Sequence, residues 1–350
     1  MRITVLMGGS SSERDVSLAS GLRIAEALRS RGHTVRAIDT AKGPLSEADE
    51  QRMLSERVVK QLPPTPAELA RMTAESLAEI AARLPKRDDC DVAFLALHGG
   101  RGEDGTIQAL LDLAGVPYTG SGHLASALAM DKDLSKHLFR AYGVGTANWL
   151  MACDPATPPS AELVERTLGW PVIVKPSKQG STVGLSIVKR IDELAPAINM
   201  AFEHDDEVMI EQFIPGRELT VGILGGEAMP VGEIIPTHEI YDYECKYTAG
   251  MAEEIFPAAL TAEEAANAQD QARRAFAALK LGGCARIDFR MTASGELFCL
   301  EANTLPGMTA TSLIPQGALA AGIPFPELCE RIATLAANSS IPPAVSAAAP

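Results

Sequence analysis

The chain has 350 residues, of which 46% are hydrophobic and 22% charged, and its formal net charge is -14. This length predicts two or three folded domains, and the composition is that of a globular protein rather than a disordered one. The negative charge argues against nucleic acid and anionic membranes as partners. No apolar run of the sequence approaches the length that spans a bilayer, so we expect no membrane segment.

The first third of the chain alternates predicted strands and helices. Strands are predicted at 3–6, 33–38 and 91–97, and helices at 13–30, 65–84 and 106–114. The apolar run of the first strand lacks the length and the cleavage site of a signal peptide. Ser10, Ser11 and Ser12 are predicted to cap the first helix. Glycine-rich segments follow the first and third strands, where parallel sheets place their ligand loops. Residues 1–120 therefore predict an N-terminal parallel α/β domain.

Two further domains are predicted, which makes the chain α/β in its first part and α+β overall. A central domain, 121–212, has helices at 124–141 and 160–168 and strands at 172–175, 186–189 and 208–211. A C-terminal domain, 213–337, has strands at 217–224 and 228–235, a helix at 261–279 and a final hairpin. The tail, 338–350, is rich in Pro, Ala and Ser and is predicted to be disordered. The six cysteines form no C-x-x-C pair, which predicts reduced thiols in a cytoplasmic protein.

Residues 285–303 carry the strongest local pattern, two alternating strands around a Ser-Gly turn. With Ser294 and Gly295 as a two-residue loop, Asp288 lies opposite Glu301. One face then holds Arg286, Asp288, Glu301 and Asn303, and the core face holds Ile287, Phe289, Leu300 and Ala302. Two facing carboxylates repel each other unless a cation lies between them, and hard oxygen ligands suit magnesium. The alternative is a solvent-exposed polar face, on which Arg286 or Arg290 neutralises the acids.

A second pattern is suited to phosphate. The strand 172–176 ends in Lys175-Pro176, and the Gly/Ser-rich segment 177–184 follows it. Such a loop can present its backbone N–H groups to phosphates, although it is not a Walker A motif and could be an ordinary hairpin turn. Lys132 and Lys175 come from different elements and could both reach one triphosphate. Glu211 ends another strand, where its carboxylate could hold a ribose hydroxyl or an adenine edge.

Eight segments, taken in chain order, carry a resemblance to a known family: 8–17, 98–105, 118–122, 130–132, 175–181, 241–247, 286–288 and 301–303. Across about residues 2–335 the chain resembles the ATP-grasp superfamily and, within it, the D-alanine–D-alanine ligase family. The resemblance implies an ATP-grasp fold that binds ATP between the central and C-terminal domains. It also implies ATP-dependent joining of two D-alanine molecules through an acyl phosphate, for peptidoglycan precursor synthesis.

The resemblance implies a role for each matching residue. Two Mg²⁺ ions, or Mn²⁺, would be bound by Asp288, Glu301 and Asn303. ATP would be contacted by Lys132, Lys175, Ser181, Glu211, Gln212, Phe213, Ile214, Glu218 and Lys246. D-Alanine would be contacted by Glu13, His98, Lys246, Arg286, Ser312 and Leu313. Catalysis would involve Glu13, Ser181 and Tyr247 as a hydrogen-bonded link that closes the site, with Arg286 and the Gly307 N–H at the oxyanion.

Several alternatives stay open at this point. An ester-forming D-alanine–D-lactate ligase has the same fold, and Tyr247 argues against it, because ester-forming relatives tend to lack a tyrosine there. A nucleotide-binding regulatory protein that has lost catalysis is the third possibility. His98 could be a structural histidine, and Glu13 could simply favour the dipole of its helix. The family resemblance also suggests a homodimer.

Overall fold

The computed structural model describes residues 1–55, 77–241, 245–246, 248 and 250–338. Part of the predicted helix 65–84, the predicted tail beyond residue 338 and Tyr247 lie outside this description. The chain forms two compact units: the first comprises Met1–His123, Gly282–Cys284 and the chain from Leu305 onward, and the second comprises Leu124–Leu281 and Ala285–Thr304. The division into three domains stays a prediction.

The first unit is built on a four-stranded sheet in the order β3-β2-β1-β4. Its strands are β1 (Arg2–Met7), β2 (Thr34–Asp39), β3 (Gly43–Pro44) and β4 (Val92–Leu95). Strand β1 pairs in parallel with β2 and with β4, and the short β3 is antiparallel to β2. Its helices are α1 (Arg14–Ser30), α2 (Glu47–Ser55), α3 (Leu77–Arg83), α4 (Thr106–Leu113), and, later in the chain, α10 (Leu313–Ala320) and α11 (Phe325–Asn338). The predicted parallel α/β arrangement is confirmed.

The start of helix α1 differs from the prediction. The N-cap residue is Glu13, with no side-chain capping hydrogen bond, so the predicted serine cap is wrong. Ser11 Oγ instead accepts weakly from the Glu13 N–H at 3.3 Å and donates to the carbonyl of His98 at 2.5 Å. The serine hydroxyl thus ties the start of α1 to the glycine-rich segment after β4.

The second unit contains two sheets. The order is β5-β8-β6-β7 in the first, and β12-β11-β9-β13-β14 in the second, where β10 also pairs with β9. The strands are β5 (Trp149–Ala152), β6 (Val172–Pro176), β7 (Ser186–Val188), β8 (Val208–Gln212), β9 (Arg217–Leu224), β10 (Glu227–Ala228), β11 (Gly232–Pro236), β12 (Ala252–Ile255), β13 (Cys284–Met291) and β14 (Leu297–Asn303). The helices are α5 (His123–Met130), α6 (Lys132–Ala141), α7 (Ala161–Leu168), α8 (Leu194–Phe202) and α9 (Ala262–Ala278). Each sheet packs one face on its own buried apolar cluster. Nowhere in the described ranges does a helix combine the length and apolarity that crossing a bilayer requires.

The predicted helix 124–141 is two helices. Asp131 has an extended backbone, and its side chain accepts from the Leu134 N–H at 3.0 Å, so it ends α5 and caps α6. The side-chain carboxylate satisfies one of the free N–H groups of the new helix, which favours the break. Lys132 becomes the first residue of α6, and Lys136 lies one turn later; both are buried.

The predicted hairpin pairing is confirmed, although the predicted turn is wrong. Asp288 pairs with Glu301 and Arg286 with Asn303. The loop has three residues, because Thr292 donates to the carbonyl of Glu296. A bulge beside Asp288 inserts Leu300 as an extra residue and restores the predicted register. Leu300 is therefore not on the core face; Cys299 takes that place and is fully buried.

Candidate active site

The second unit contains a cavity that is partly open to solvent. Ten of the predicted nucleotide and metal residues line it: Lys132, Lys175, Ser181, Glu211, Phe213, Ile214, Glu218, Lys246, Asp288 and Glu301. Gln212 follows Glu211 on β8, and its side chain alternates to the opposite face of that strand. Apolar lining residues that the sequence did not single out include Ile173, Leu185 and the bulge residue Leu300. The cavity therefore has an apolar wall beside charged groups, as nucleotide sites do.

Asp288, on β13, accepts hydrogen bonds from three side chains. Its Oδ1 accepts from Thr220 Oγ1 at 2.7 Å, and its Oδ2 accepts from Arg286 Nη2 at 2.8 Å and from Asn303 Nδ2 at 3.0 Å. Arg286 thus neutralises Asp288, as one alternative reading predicted. The face is not solvent-exposed, however, because Asp288 is 7% exposed and lines the cavity.

Glu301, the cross-strand partner of Asp288, faces a lysine cluster. Lys132 Nζ lies 3.6 Å from Glu301 Oε2 and donates to the carbonyl of Gln179 at 2.7 Å. Burial opposes the charge of Glu301, but attraction to Lys132, Lys246 and Lys175 outweighs it and lowers the pKa of Glu301 to about 2. Burial lowers the pKa of Lys132 in turn. Glu301 is consequently a carboxylate at neutral pH.

Glu211, at the end of β8, lies between two lysines. Its Oε2 accepts from Lys175 Nζ at 2.6 Å, and its Oε1 accepts from Lys136 Nζ. Burial opposes the charge here too, yet the two ammonium groups lower the pKa of Glu211 to about 2. The sequence reasoning missed Lys136. The sequence places Lys136 four positions after Lys132 and so on the same face of the helix, but this spacing does not show that Lys136 lies beside Glu211.

Glu218 and Arg290 lie at another wall of the cavity. Arg290 Nη1 lies 3.3 Å from Glu218 Oε2, and Arg290 Nε donates to the carbonyl of Ile214 at 3.1 Å. The guanidinium also lies 5.8 Å from the centre of the Phe213 ring. Burial raises the pKa of Glu218 to about 7, although Arg290 acts in the opposite direction. Arg290 therefore fixes the backbone that was predicted to meet adenine.

The Gly/Ser-rich segment 177–184 connects two antiparallel strands, β6 and β7, so it is a hairpin connection. It is not an ordinary turn, because Ser181 and Thr182 both have left-handed backbones, with φ of 50° and 59°. Non-glycine residues adopt this conformation at a cost of about 1–3 kcal/mol each, and such strain concentrates at functional sites. The Lys178 N–H donates to Asp205 Oδ2 at 2.6 Å and anchors the start of the loop.

The predicted D-alanine residues other than Lys246 and Arg286 lie in the first unit. His98 is buried; its Nδ1 lies 2.8 Å from the carbonyl oxygen of Leu305, and its Nε2 lies 3.3 Å from Ser20 Oγ. Ser20 Oγ also accepts from the Met308 N–H at 3.2 Å. These bonds hold both ends of the Leu305–Met308 segment, which contains Gly307. These hydrogen bonds support the interpretation of His98 as a structural histidine. The predicted contact of His98 with substrate stays a prediction.

The other predicted site residues of the first unit are Gly307, Ser312, Leu313 and Glu13. A Cβ on Gly307 would lie 2.7 Å from Ser312 Oγ, so this approach needs glycine. Leu313 begins α10 and is buried, as is Glu13 at the start of α1. The predicted link among Glu13, Ser181 and Tyr247 stays a prediction.

Comparisons with known proteins agree in pointing to one family. Two family models match the chain, "D-ala D-ala ligase N-terminus" over residues 2–121 and "D-ala D-ala ligase C-terminus" over residues 138–334. The D-alanine–D-alanine ligase of Geobacter sulfurreducens is 44% identical over 332 residues, which cover 95% of this chain and 92% of that protein. The enzyme of that name from Syntrophotalea carbinolica is 42% identical and covers 95% and 94%.

Solved structures give the same result. The crystal structure of D-alanine–D-alanine ligase from Bacillus anthracis matches with a TM-score of 0.75 and 34% identity, covering 96% of this chain and 97% of that one. The structure of that enzyme complexed with ATP matches with a TM-score of 0.75 and 31% identity over the same shares. The predicted ATP-grasp fold is thereby confirmed. On sequence and fold together, the chain belongs to the D-alanine–D-alanine ligase family.

Proposed function

We propose that this chain is an ATP-dependent ligase that joins two D-alanine molecules into D-alanyl-D-alanine for peptidoglycan precursor synthesis. One observation carries the proposal beyond family membership. A single cavity brings three lysines, Lys132, Lys175 and Lys246, together with the carboxylates of Asp288, which is buried, and Glu301, which is partly buried. Cations and carboxylates in one enclosed site suit a nucleoside triphosphate with its divalent ions.

The nucleotide would lie with its phosphates toward the lysines and its adenosine toward the apolar wall. Lys132 and Lys175 would supply ammonium donors, and the loop that contains the left-handed residues Ser181 and Thr182 would supply backbone N–H groups to the phosphates. Phe213 and Ile214 would present backbone groups to adenine. Glu218 would accept a ribose hydroxyl, since its side chain lines the same cavity.

The donor set fits divalent metal ions. Asp288 and Glu301 offer hard carboxylate oxygens that line the cavity, and Asn303 donates through Nδ2, which leaves its amide oxygen to act as a ligand. We propose that these three side chains hold two Mg²⁺ or Mn²⁺ ions. Asp288 already accepts from Thr220, Arg286 and Asn303, so one of these donors would give way. When bound, the ions would offset the negative charge of the phosphates.

The chemistry divides into two steps. The carboxylate of the first D-alanine attacks the γ-phosphorus, ADP leaves, and an acyl phosphate forms. The amine of the second D-alanine then attacks the acyl carbonyl, and phosphate leaves. Arg286 and the Gly307 N–H would stabilise the oxyanion of this second step, as preorganised donors do. Lys246 would neutralise charge near the γ-phosphate, and Tyr247, Ser181 and Glu13 would exclude water, because the acyl phosphate hydrolyses readily.

The remaining contacts concern D-alanine itself and the state of the protein. Glu13 would pair with the ammonium of the first D-alanine, near His98, and Ser312 and Leu313 would receive the carboxylate of the second. We propose a homodimer in the cytoplasm.

Product analysis tests the proposal. The full chain is incubated with ATP and Mg²⁺ and with D-alanine, L-alanine, or D-alanine plus D-lactate, and phosphate and products are measured. We expect phosphate release and D-alanyl-D-alanine with D-alanine alone. An ester product that requires D-lactate would move the chain to the ester-forming branch. ATP binding without phosphate release under any condition would support the regulatory alternative.

A further inference from the structure

Lys136 is a fully buried lysine that does not line the cavity. Its side chain is 0% exposed, and it is among the largest completely buried side chains of the described chain. Its Nζ donates to Glu211 Oε1 and, at 2.7 Å, to Thr146 Oγ1. Burying an ammonium group costs free energy unless the group is paired and hydrogen-bonded, so we asked which function the buried Lys136 could serve.

The charge balance of the cavity indicates such a function. Among the described lining residues, four are cationic (Lys132, Lys175, Lys246 and Arg290) and four are acidic (Glu211, Glu218, Asp288 and Glu301). Because the pKa of Glu218 is about 7, the wall has only about half a net positive charge at neutral pH, and its attraction for a polyanionic triphosphate is small. An additional cation behind the wall, paired with a lining carboxylate, shifts this balance toward positive without occupying any of the cavity.

The geometry at Glu211 shows how this would operate. Its two oxygens are divided, Oε1 toward Lys136 and Oε2 toward Lys175. Without Lys136, Glu211 and Lys175 would form a closed neutral pair, and the carboxylate would be free to turn fully onto Lys175. With Lys136, the group of three carries one net positive charge, and the only lysine of the pair that lines the cavity is Lys175.

We propose that Lys136 is a positioning residue for ATP: it holds and neutralises Glu211 from behind, so that the charge of Lys175 stays available to the triphosphate. The inference rests on the proposed function, because it takes Lys175 to be a ligand of ATP. A purely structural role is the competing explanation. Thr146, which accepts from Lys136, donates to the Cys299 carbonyl on β14 at 2.8 Å, so Lys136 also connects α6 to the hairpin.

The two explanations differ in what they predict for ligands with and without phosphates. We would measure the dissociation constants of ATP–Mg²⁺ and of adenosine by calorimetry, on the full chain without D-alanine. The quantity compared is the dissociation constant of adenosine divided by that of ATP–Mg²⁺, which falls when the phosphates contribute less to binding. The variants are Lys136→Met, Glu211→Gln and the double variant. Lys189→Met is the matched control, because Lys189 is a 58% exposed lysine that pairs with Glu239 in the same unit.

We expect Lys136→Met to lower the ratio on the order of tenfold, the effect of losing one charge-assisted contact. Glu211→Gln should not lower this ratio, because Lys175 then has no carboxylate partner. The double variant should have the same ratio as Glu211→Gln alone. Lys189→Met should leave both constants within about twofold. Circular dichroism melting of each variant would check its fold.

Three results would overturn the inference. The first is an unchanged ratio in Lys136→Met. The second is a double variant that stays as weak as Lys136→Met. The third, decisive even if Lys136→Met does not fold, is a Glu211→Gln variant whose ratio falls. Wild-type protein that does not bind ATP would instead refute the proposed function itself, so the two failures are distinguishable.

Discussion

Replacing Glu301 by glutamine removes one charge and almost no volume from the β13–β14 hairpin, which we propose to bind metal. The pKa of Glu301 lies at about 2, against an ordinary 4.5. A difference of that size corresponds to about 3 kcal/mol between the charged and neutral forms. The side chain is 26% exposed, so solvent reduces the figure, and we expect Glu301→Gln to lower the free energy of unfolding by about 1 to 3 kcal/mol at pH 7. Turnover should fall at least about 100-fold, because a charged ligand of the proposed metal ions would be lost.

The same substitution has a defined pH dependence. Because the pKa is lowered on folding, the carboxylate stabilises the fold above about pH 4.5, and this contribution disappears as the pH falls toward 2. Urea denaturation should therefore separate wild type from Glu301→Gln at pH 7, show a smaller difference below about pH 4.5, and bring the two together only near pH 2. Glu296→Gln, at an exposed position of the same hairpin, should change stability by no more than about 0.5 kcal/mol and leave turnover intact. Full activity of Glu301→Gln would refute the metal role, and an equal stability at pH 7 would refute the electrostatic reasoning.

Two further predictions concern the capping of helix α6 and the carboxyl group of Glu218. Asp131→Ala and Ser160→Ala each remove a helix N-cap, and each should lower the free energy of unfolding in urea by about 1 kcal/mol. Only Asp131→Ala should raise the KM for ATP, because the helix that Asp131 caps begins with Lys132, which lines the cavity. Equal kinetic effects of the two would contradict this assignment. Glu218→Gln should stabilise the protein by about 1 to 3 kcal/mol at pH 8 and hardly at all at pH 4.5. The pKa of Glu218 is about 7 in the folded state, against an ordinary 4.5 in the unfolded state. The carboxyl group of the wild type therefore destabilises the fold increasingly as the pH rises from 4.5 to 7, and glutamine removes this cost. A gain of the same size at both pH values would contradict the burial argument.

The part of the site that depends on short-range pattern could be predicted from the sequence. Strand alternation placed Asp288 opposite Glu301, and the structure has that pair. The agreement is partly fortunate, because a three-residue loop and a one-residue bulge at Leu300 compensate for each other. A bulge leaves no clear mark in a sequence of alternating residues, so its apolar contribution to the cavity wall could not be foreseen.

Features that depend on competition between local and tertiary bonds were harder to predict. Helix 124–141 was predicted as continuous because its apolar spacing does not change at Asp131. The side-chain cap of Asp131 outweighs that periodicity and places Lys132 at a helix start. Ser11 was predicted to cap α1, but its hydroxyl bonds the His98 carbonyl, a contact 87 residues away in sequence. Lys136 was missed because a lysine on a helix is ordinarily solvated, and only the fold shows that Glu211 lies beside it.

Transfer of oxygen from substrate to phosphate tests the central claim most directly. D-Alanine labelled with ¹⁸O in its carboxylate is incubated with the full chain, ATP and Mg²⁺, and the released phosphate is analysed by mass spectrometry. If the carboxylate attacks the γ-phosphorus, each D-alanyl-D-alanine formed should be accompanied by one phosphate that carries one ¹⁸O atom. Dipeptide formation with unlabelled phosphate, or phosphate release without dipeptide, would contradict the account.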